Sequence, residues 1–591
     1  MIKRCIPLFM LVFLLISCKQ ETKQKESTIH QEFATLLDAY YEDGLKLNPI
    51  LATTTGDDRY NDVFTNPLSQ EHIAKTKAHF NTYKEKVNAF TTDALTESEK
   101  LSKAILLWEC DINLNEFNFN ASLTPIDQMW SPNLFMGQLA SGAGAQPFNT
   151  VDDYNNWMQR VDGYIEWLNS AEDNMREGIQ KGHVLPKSLI KKVLPQLEAL
   201  TTTDLDKHLF YQPIKNLPED LNANQKEELT NAYSNMVLEK VVPAYKKLHA
   251  FISTDYMKAG RDSSGIQGEP NGDAFYAHQI KKYTTTNMTA SEIHELGLSE
   301  VARIRTEMEE IKKQVGFDGD LKAFFNYVRN KKELMPFKDP QQVIANFNAI
   351  HTTMKPQIEK LFGNKPKTPF EVRRTEAFRE KSASAEYNPG SLDGTRPGIF
   401  YTPIPEVEKY NVYSDESLFL HEAIPGHHYQ ISLTQESTDL PKFRKTLWYS
   451  GYGEGWALYS ESLGTELGLY TDPYQLFGML GAEMHRAVRL VVDTGLHSKG
   501  WSREQAIQYS LDNEAESEAS ITSEIERYMA NPGQALSYKI GQLKIRELRK
   551  KAKNTLGDKF DISEFHNQVL ETGCVPLALL ENKINTWIAN Q

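Results

Sequence analysis

The run HEAIPGHH places His421, His427 and His428 within eight residues of a chain that has 15 histidines in all. Clustered imidazoles serve as metal ligands or as a proton relay, and zinc is typically held by neutral imidazole nitrogens together with a carboxylate. His421 followed at once by Glu422 is the opening of a zinc-hydrolase motif, in which the histidine binds the metal and the glutamate acts as general base on water. In the ordinary H-E-x-x-H form the second histidine comes four residues after the first, about one helical turn on, so both side chains reach one ion. Here that position is Pro425. On an unbroken helix His427 points to the wrong side, while His428 points to the right side but about 10 Å further along the axis. Either shares an ion with His421 only if the helix deforms. Pro425 and Gly426 permit this, because proline removes a backbone donor and glycine adopts dihedrals closed to other residues.

Two later segments carry chemistry at helical spacing. In GEGWALYSE, from Gly453 to Glu461, the carboxylates of Glu454 and Glu461 are seven residues apart and therefore on one face. In HRAVRLVVDTGLH, Arg486, Arg489, Asp493 and His497 fall at steps of three and four. This row reads as substrate-facing, with Arg489 for a peptide carboxylate and His497 near the reacting carbonyl; an ion-paired packing helix has the same spacing. Other candidates lead elsewhere. His294-Glu295 begins like a zinc motif, but position 298 is leucine and the pair lies in an amphipathic helix behind a capping box, which makes it structural. SGAGAQPF lacks the lysine of a phosphate-binding loop, and no G-x-S-x-G nucleophile elbow occurs. Cys110, after an apolar run, reads as a small buried hydrophobe.

HEAIPGHH, EGWALYSE and PGQALSYKIGQ, with NGDAFYAHQIKKYTTTNMTASEIHELGLSEV around Asp273 to Val301, resemble the bacterial family known as domain of unknown function 885 over most of the chain. That family is similar in turn to helical zinc peptidases of the thimet oligopeptidase and carboxypeptidase Taq type, whose motif is H-E-x-G-H with a glutamate ligand further along. The resemblance implies a mainly α, two-lobed fold with a deep cleft and a small β element. Matching Gly426-His427 to the Gly-His pair of those enzymes requires a two-residue insertion and favours His427 over His428 as second ligand. It makes His421, His427 and Glu454 the ligands of one zinc ion per chain. Glu461 then orients a ligand histidine, and His428 faces the cleft. Tyr538, in YMANPGQALSYKIGQ, aligns with a tyrosine that hydrogen-bonds the tetrahedral intermediate, although a plain core tyrosine is an alternative.

The elements that must hold these residues are helices. Phe33, Leu36, Leu37, Tyr40, Tyr41 and Leu45 form one apolar stripe, and Thr96 with Glu99, like Thr289 with Glu292, has capping-box spacing ahead of a periodic run. The run Gly398 to Thr402 is β-prone and precedes the histidine segment. The turn-rich stretch from Asp262 to Asp273 divides the body into a helical lobe of residues 31–270 and a catalytic helical lobe of residues 271–591. Residues 1–17 read as a lipoprotein signal peptide ending before Cys18, the lipidation site of an exported bacterial lipoprotein anchored on the periplasmic or cell-surface side, and residues 18–30 as its tether.

The 591 residues suffice for more than one core. The net charge of −14 repels phosphate backbones and excludes nucleic acid as the main partner. Four cysteines, of which Cys5 and Cys18 lie in the first 20 residues, exclude a disulfide scaffold. The expected activity is metal-assisted hydrolysis of a peptide substrate with Glu422 as general base; oligomeric state is not legible. The competing reading from another class is a non-enzymatic, α-rich surface lipoprotein that captures glycans or peptides, and hydrolysis of some non-peptide amide is a third.

Overall fold

The computed structural model describes residues 28–142, 144–376, 380, 383–391 and 396–591. The leader 1–17, Cys18 and tether residues 19–27 lie outside the described residues. The structure is about 69% helical, as the periodicity predicts, with one three-stranded sheet among the described residues. Helix α1 (28–47) buries Phe33, Leu36, Leu37, Tyr40 and Leu45 and leaves Tyr41 half-buried. Both expected capping boxes are formed. The Thr96 hydroxyl accepts from Glu99 N at the start of the Glu97–Glu116 helix, and Thr289 does the same for Glu292 at the start of α2 (Ala290–Gln314).

Apolar side chains gather in three cores. Residues from Ile126 to Tyr256 make one, rich in aromatics such as Trp157, Tyr164, Trp167 and Phe210. A second runs from Phe33 to Cys110 and continues through Ile266 to Ile588. The helices that carry Phe33 to Tyr40 and Tyr83 to Cys110 thus share a core with the C-terminal segments, while Ile50, Phe64 and Leu68 between them pack on the core of residues 126–256. The third core lies between α2 and a long helix, Pro473–Ser498, that carries Arg486, Arg489, Asp493 and His497. No helix among the described residues is long and apolar enough to cross a membrane.

Four elements frame the histidine run. Helix α3 (Pro340–Leu361) packs on the sheet of β1 (Phe370–Arg374), β2 (Glu386–Asn388) and β3 (Gly398–Thr402). The strand expected at Gly398–Thr402 is the middle one. It runs parallel to β1, with Phe370 opposite Gly398, and antiparallel to β2, with Tyr387 opposite Phe400. Phe347 of α3 and Phe370 of β1 place their ring centroids 6.3 and 6.0 Å from that of Phe419, which fixes the next helix, α4 (Asp415–Glu422). Helices α5 (His427–Glu436), α6 (Ser450–Glu461), α7 (Pro473–Ser498), α8 (Glu518–Ala530) and α9 (Ser537–Leu556) complete the surroundings.

Candidate metal centre

The helix breaks between Glu422, which ends α4, and His427, which begins α5. Ala423 leaves helical geometry at φ −107, ψ −105, and the Ile424–Pro425 peptide is cis. Gly426 has no room for a side chain, since a Cβ there would lie 1.9 Å from the His421 carbonyl oxygen. The Trp456 indole N–H of α6 donates to the Pro425 carbonyl at 2.8 Å and holds the break in place. Helix α6 is itself set by close packing on α9, where a Cβ on Gly455 would come within 2.5 Å of the Gly541 Cα.

This arrangement brings His421, His427 and Glu454 together, with one ligand atom from each lying within 4.8 Å of the others. Glu454 Oε2 is 3.6 Å from His421 Nε2 and 3.4 Å from His427 Nε2. Bonds of about 2.0–2.2 Å at tetrahedral angles separate zinc ligand atoms by roughly 3.4 Å, so this donor set fits zinc in both spacing and chemistry. Behind it, Glu461 Oε1 is 2.7 Å from His421 Nδ1, and the Ser417 hydroxyl donates to Glu461 Oε2 at 2.7 Å. A carboxylate on the far nitrogen fixes the tautomer and direction of a ligand imidazole. Burial opposes charge on His421, but the Glu454 and Glu461 carboxylates hold its imidazole up at about 9. Burial also opposes ionisation of Glu454, and His421 and His427 hold that carboxyl far below its usual range.

Glu422 is buried beside this trio, and its carboxylate makes no hydrogen bond or ion pair with another described residue. Burial raises its pKa, while the charges of His421, His427 and, more weakly, Arg486 pull it back. Tyr538 of α9 is half-buried, with the Arg489 guanidinium 4.5 Å from its ring centroid. Its hydroxyl pKa is raised by burial and then by the Glu454 charge. Its neighbour Lys539 is fully buried against Glu483 and Glu300, at 2.6 and 2.8 Å, and pins α9 to α7 and α2.

Three expected roles need correction. His428 does not face the cleft: its Nδ1 lies 2.9 Å from the Tyr387 hydroxyl of β2, and its ring packs on Phe370 of β1. Burial pulls its pKa down to about 4, so it is a neutral core residue between α5 and the sheet. Successive helical residues point about 100° apart, so the break that turns His427 to the trio turns His428 away. His497 is fully buried with both ring nitrogens committed to backbone. It accepts from Ile266 N at 3.0 Å, in the turn-rich stretch read as the lobe boundary, and faces the Tyr528 carbonyl at 3.0 Å. Burial lowers its pKa to about 3, and it cannot reach a substrate carbonyl. Arg489 is already ion-paired, since its guanidinium donates to Glu524 at 2.9 Å and to the Tyr528 hydroxyl at 3.0 Å and leaves only its buried Nη1 without a partner. The decoy His294 is structural, as expected, with Nδ1 2.8 Å from the Thr494 hydroxyl, and Cys110 is fully buried. Two neighbours escaped the sequence reading. Ser417 braces Glu461, and Trp448, 45% exposed, sets its ring centroid 5.8 Å from that of His427. The serine lies four residues before His421 on one helical face, which is a signal that was available.

A crystal structure of a predicted lipoprotein from Colwellia psychrerythraea superposes with a TM-score of 0.88 at 29% identity, covering 95% of this chain and 100% of that one. A predicted lipoprotein of unknown function from Shewanella oneidensis superposes at 0.74 with 20% identity, over 93% and 99% of the two chains. No curated protein sequence matches. The profile described as bacterial protein of unknown function, DUF885, matches residues 49–584, and the chain belongs to that family.

Proposed function

We propose that this protein is a zinc-dependent hydrolase that cleaves peptides, with His421, His427 and Glu454 as ligands of one ion. The observation that carries this reading is Glu422, a buried carboxylate with no described protein partner, set beside three convergent ligands whose first histidine is braced by Glu461. A buried carboxylate kept unpaired is costly, and a site that uses it as a base gives it a reason to be there. Zinc, when bound, supplies Lewis acidity that polarises a carbonyl and acidifies water. Glu422 accepts the proton of the attacking water and delivers it to the amine nitrogen as the C–N bond breaks. The Tyr538 phenol donates a hydrogen bond to the carbonyl oxygen as negative charge develops there. Glu461 and Ser417 keep the His421 ring from turning.

The deciding experiment measures zinc in the purified protein and in His421→Ala together with peptide hydrolysis. Stoichiometric zinc and turnover in the wild type, both lost in the variant, support the reading; no zinc in either removes it. Residues 1–18 extend the proposal to the cell. An exported chain lipidated at Cys18 would hold this site at a membrane surface, and Cys18→Ala should release it from the membrane fraction. Unchanged membrane association would exclude that anchor.

A further inference from the structure

Arg486 and Arg489 stand on the same face of α7, yet their surroundings differ. Arg489 is tied to Glu524 and Tyr528. Arg486 has no carboxylate within ion-pair distance among the described residues. Its guanidinium donates only to the Ala482 carbonyl of its own helix, at 3.3 Å, and its Nε is buried with no hydrogen-bond partner. An arginine held in this way presents unused donors to whatever enters beside it.

Something can enter. A cavity of about 170 Å³ is lined by Arg486, His421, Ser417, Gly481, His485 and the far rim at Glu514. Its floor is open at Gly481, where a Cβ would meet nothing within 4 Å. The buried carboxylates on its walls are already engaged: Glu461 by His421 and Ser417, and Glu514 by His485. Glu516, also on the lining, is exposed. Arg486 is therefore the unpaired cation of a cavity that His421 also lines, and its guanidinium lies 5.9 Å from the Tyr538 ring centroid.

We propose that Arg486 docks a carboxylate of the substrate, so that the preferred peptides carry a free carboxylate close to the bond that is cleaved. The inference rests on the hydrolase reading above and deepens it. The fork of a guanidinium pairs with a carboxylate through two parallel hydrogen bonds, and such a pair formed away from bulk water is worth far more than one on the surface. The carboxylate has two sources, a peptide C-terminus or an acidic side chain.

The test uses three N-acylated peptides of one sequence: the free acid, its C-terminal amide, and the amide with one alanine replaced by glutamate. Binding to the zinc-loaded full-length chain is measured by calorimetry in a Glu422→Gln background, and turnover is measured in the wild type. The free acid is expected to bind about 10- to 100-fold more tightly than the amide. This advantage should disappear in Arg486→Gln and partly survive in Arg486→Lys, with zinc content and melting temperature unchanged. If the glutamate-bearing amide matches the free acid, the site takes a side-chain carboxylate; if it binds as weakly as the plain amide, the site takes a C-terminus. Equal binding of all three peptides overturns the proposal, as does an advantage that persists in Arg486→Gln. The comparison of the three peptides needs no variant at position 486 and so decides the matter even if those variants fail to fold. Tight binding of the acid without any hydrolysis would leave the carboxylate site standing and remove the peptidase reading. Hydrolysis of all three peptides at equal rates with equal binding would do the reverse.

Discussion

Glu422 and Glu461 sit on either side of His421 and have different duties, which mutation can separate. Glu422 lies outside the ligand set, so Glu422→Gln should retain near-stoichiometric zinc while turnover falls by at least about 10²- to 10⁴-fold. Retained turnover would remove its assignment as the base. Glu461 touches only the far nitrogen of His421, at 2.7 Å, and Glu461→Gln should weaken zinc binding by roughly 10- to 100-fold. Metal titration against a competing chelator reads this directly, and an unchanged affinity would make Glu461 a plain core acid. Residues of this kind are the most legible part of the sequence, because a His-Glu pair and two glutamates seven apart declare their chemistry locally. What could not be read is which arginine is free. Arg489 is taken up by Glu524 and Tyr528, which stand more than 30 positions later on α8, and nothing in the spacing of α7 distinguishes it from Arg486.

At the scale of elements, the site depends on a helix that stops and restarts. The sequence signalled this through Pro425-Gly426, and the resemblance to helical zinc peptidases favoured His427. Which way each histidine turns was decided by the sheet, whose Tyr387 and Phe370 take His428. Gly426→Ala should push the two helix ends apart, because its new methyl would meet the His421 carbonyl. The expected result is loss of most bound zinc with the circular-dichroism helix content nearly intact; full zinc occupancy in that variant would show that the break tolerates a side chain. The start of α4 offers a second test. Asp415 is buried and accepts from Tyr410 and Asn346, and burial lifts its pKa to about 8, against an ordinary carboxyl near 4. The folded state therefore holds this proton more tightly than the unfolded one. Its stabilising contribution is complete below about pH 4 and declines as the pH rises toward 8, by up to about 1.4 kcal/mol per pH unit. Between pH 6 and 8 the melting temperature of the wild type should fall more steeply than that of Asp415→Asn, and parallel curves would show that Asp415 does not titrate in this window.

The whole molecule is less legible than its site. Helical periodicity gave the fold class, and the turn-rich stretch from Asp262 to Asp273 looked like a boundary. In three dimensions that stretch docks on α7, where Ile266 donates to His497, and the segments Phe33 to Tyr40 and Tyr83 to Cys110 join the core of the C-terminal half. Which helices share a core depends on contacts between segments hundreds of residues apart, and no local pattern records them. This architecture also determines what metal should do to stability. The three ligands come from α4, α5 and α6, which meet inside the core that runs from Phe33 to Ile588, so binding ties the folded state of that core to the ion. An ion that binds only the folded form stabilises it by about 2.7 kcal/mol at 100 times its dissociation constant. Stripping metal with a chelator should therefore lower the melting temperature by a few degrees, and added zinc should restore it. His427→Ala should melt at the stripped temperature and ignore zinc. His428→Ala should melt lower for a different reason, the cavity left against the sheet, yet still respond to zinc. If zinc shifts the wild type and His427→Ala equally, the ion binds elsewhere and the His421–His427–Glu454 centre is not what holds it.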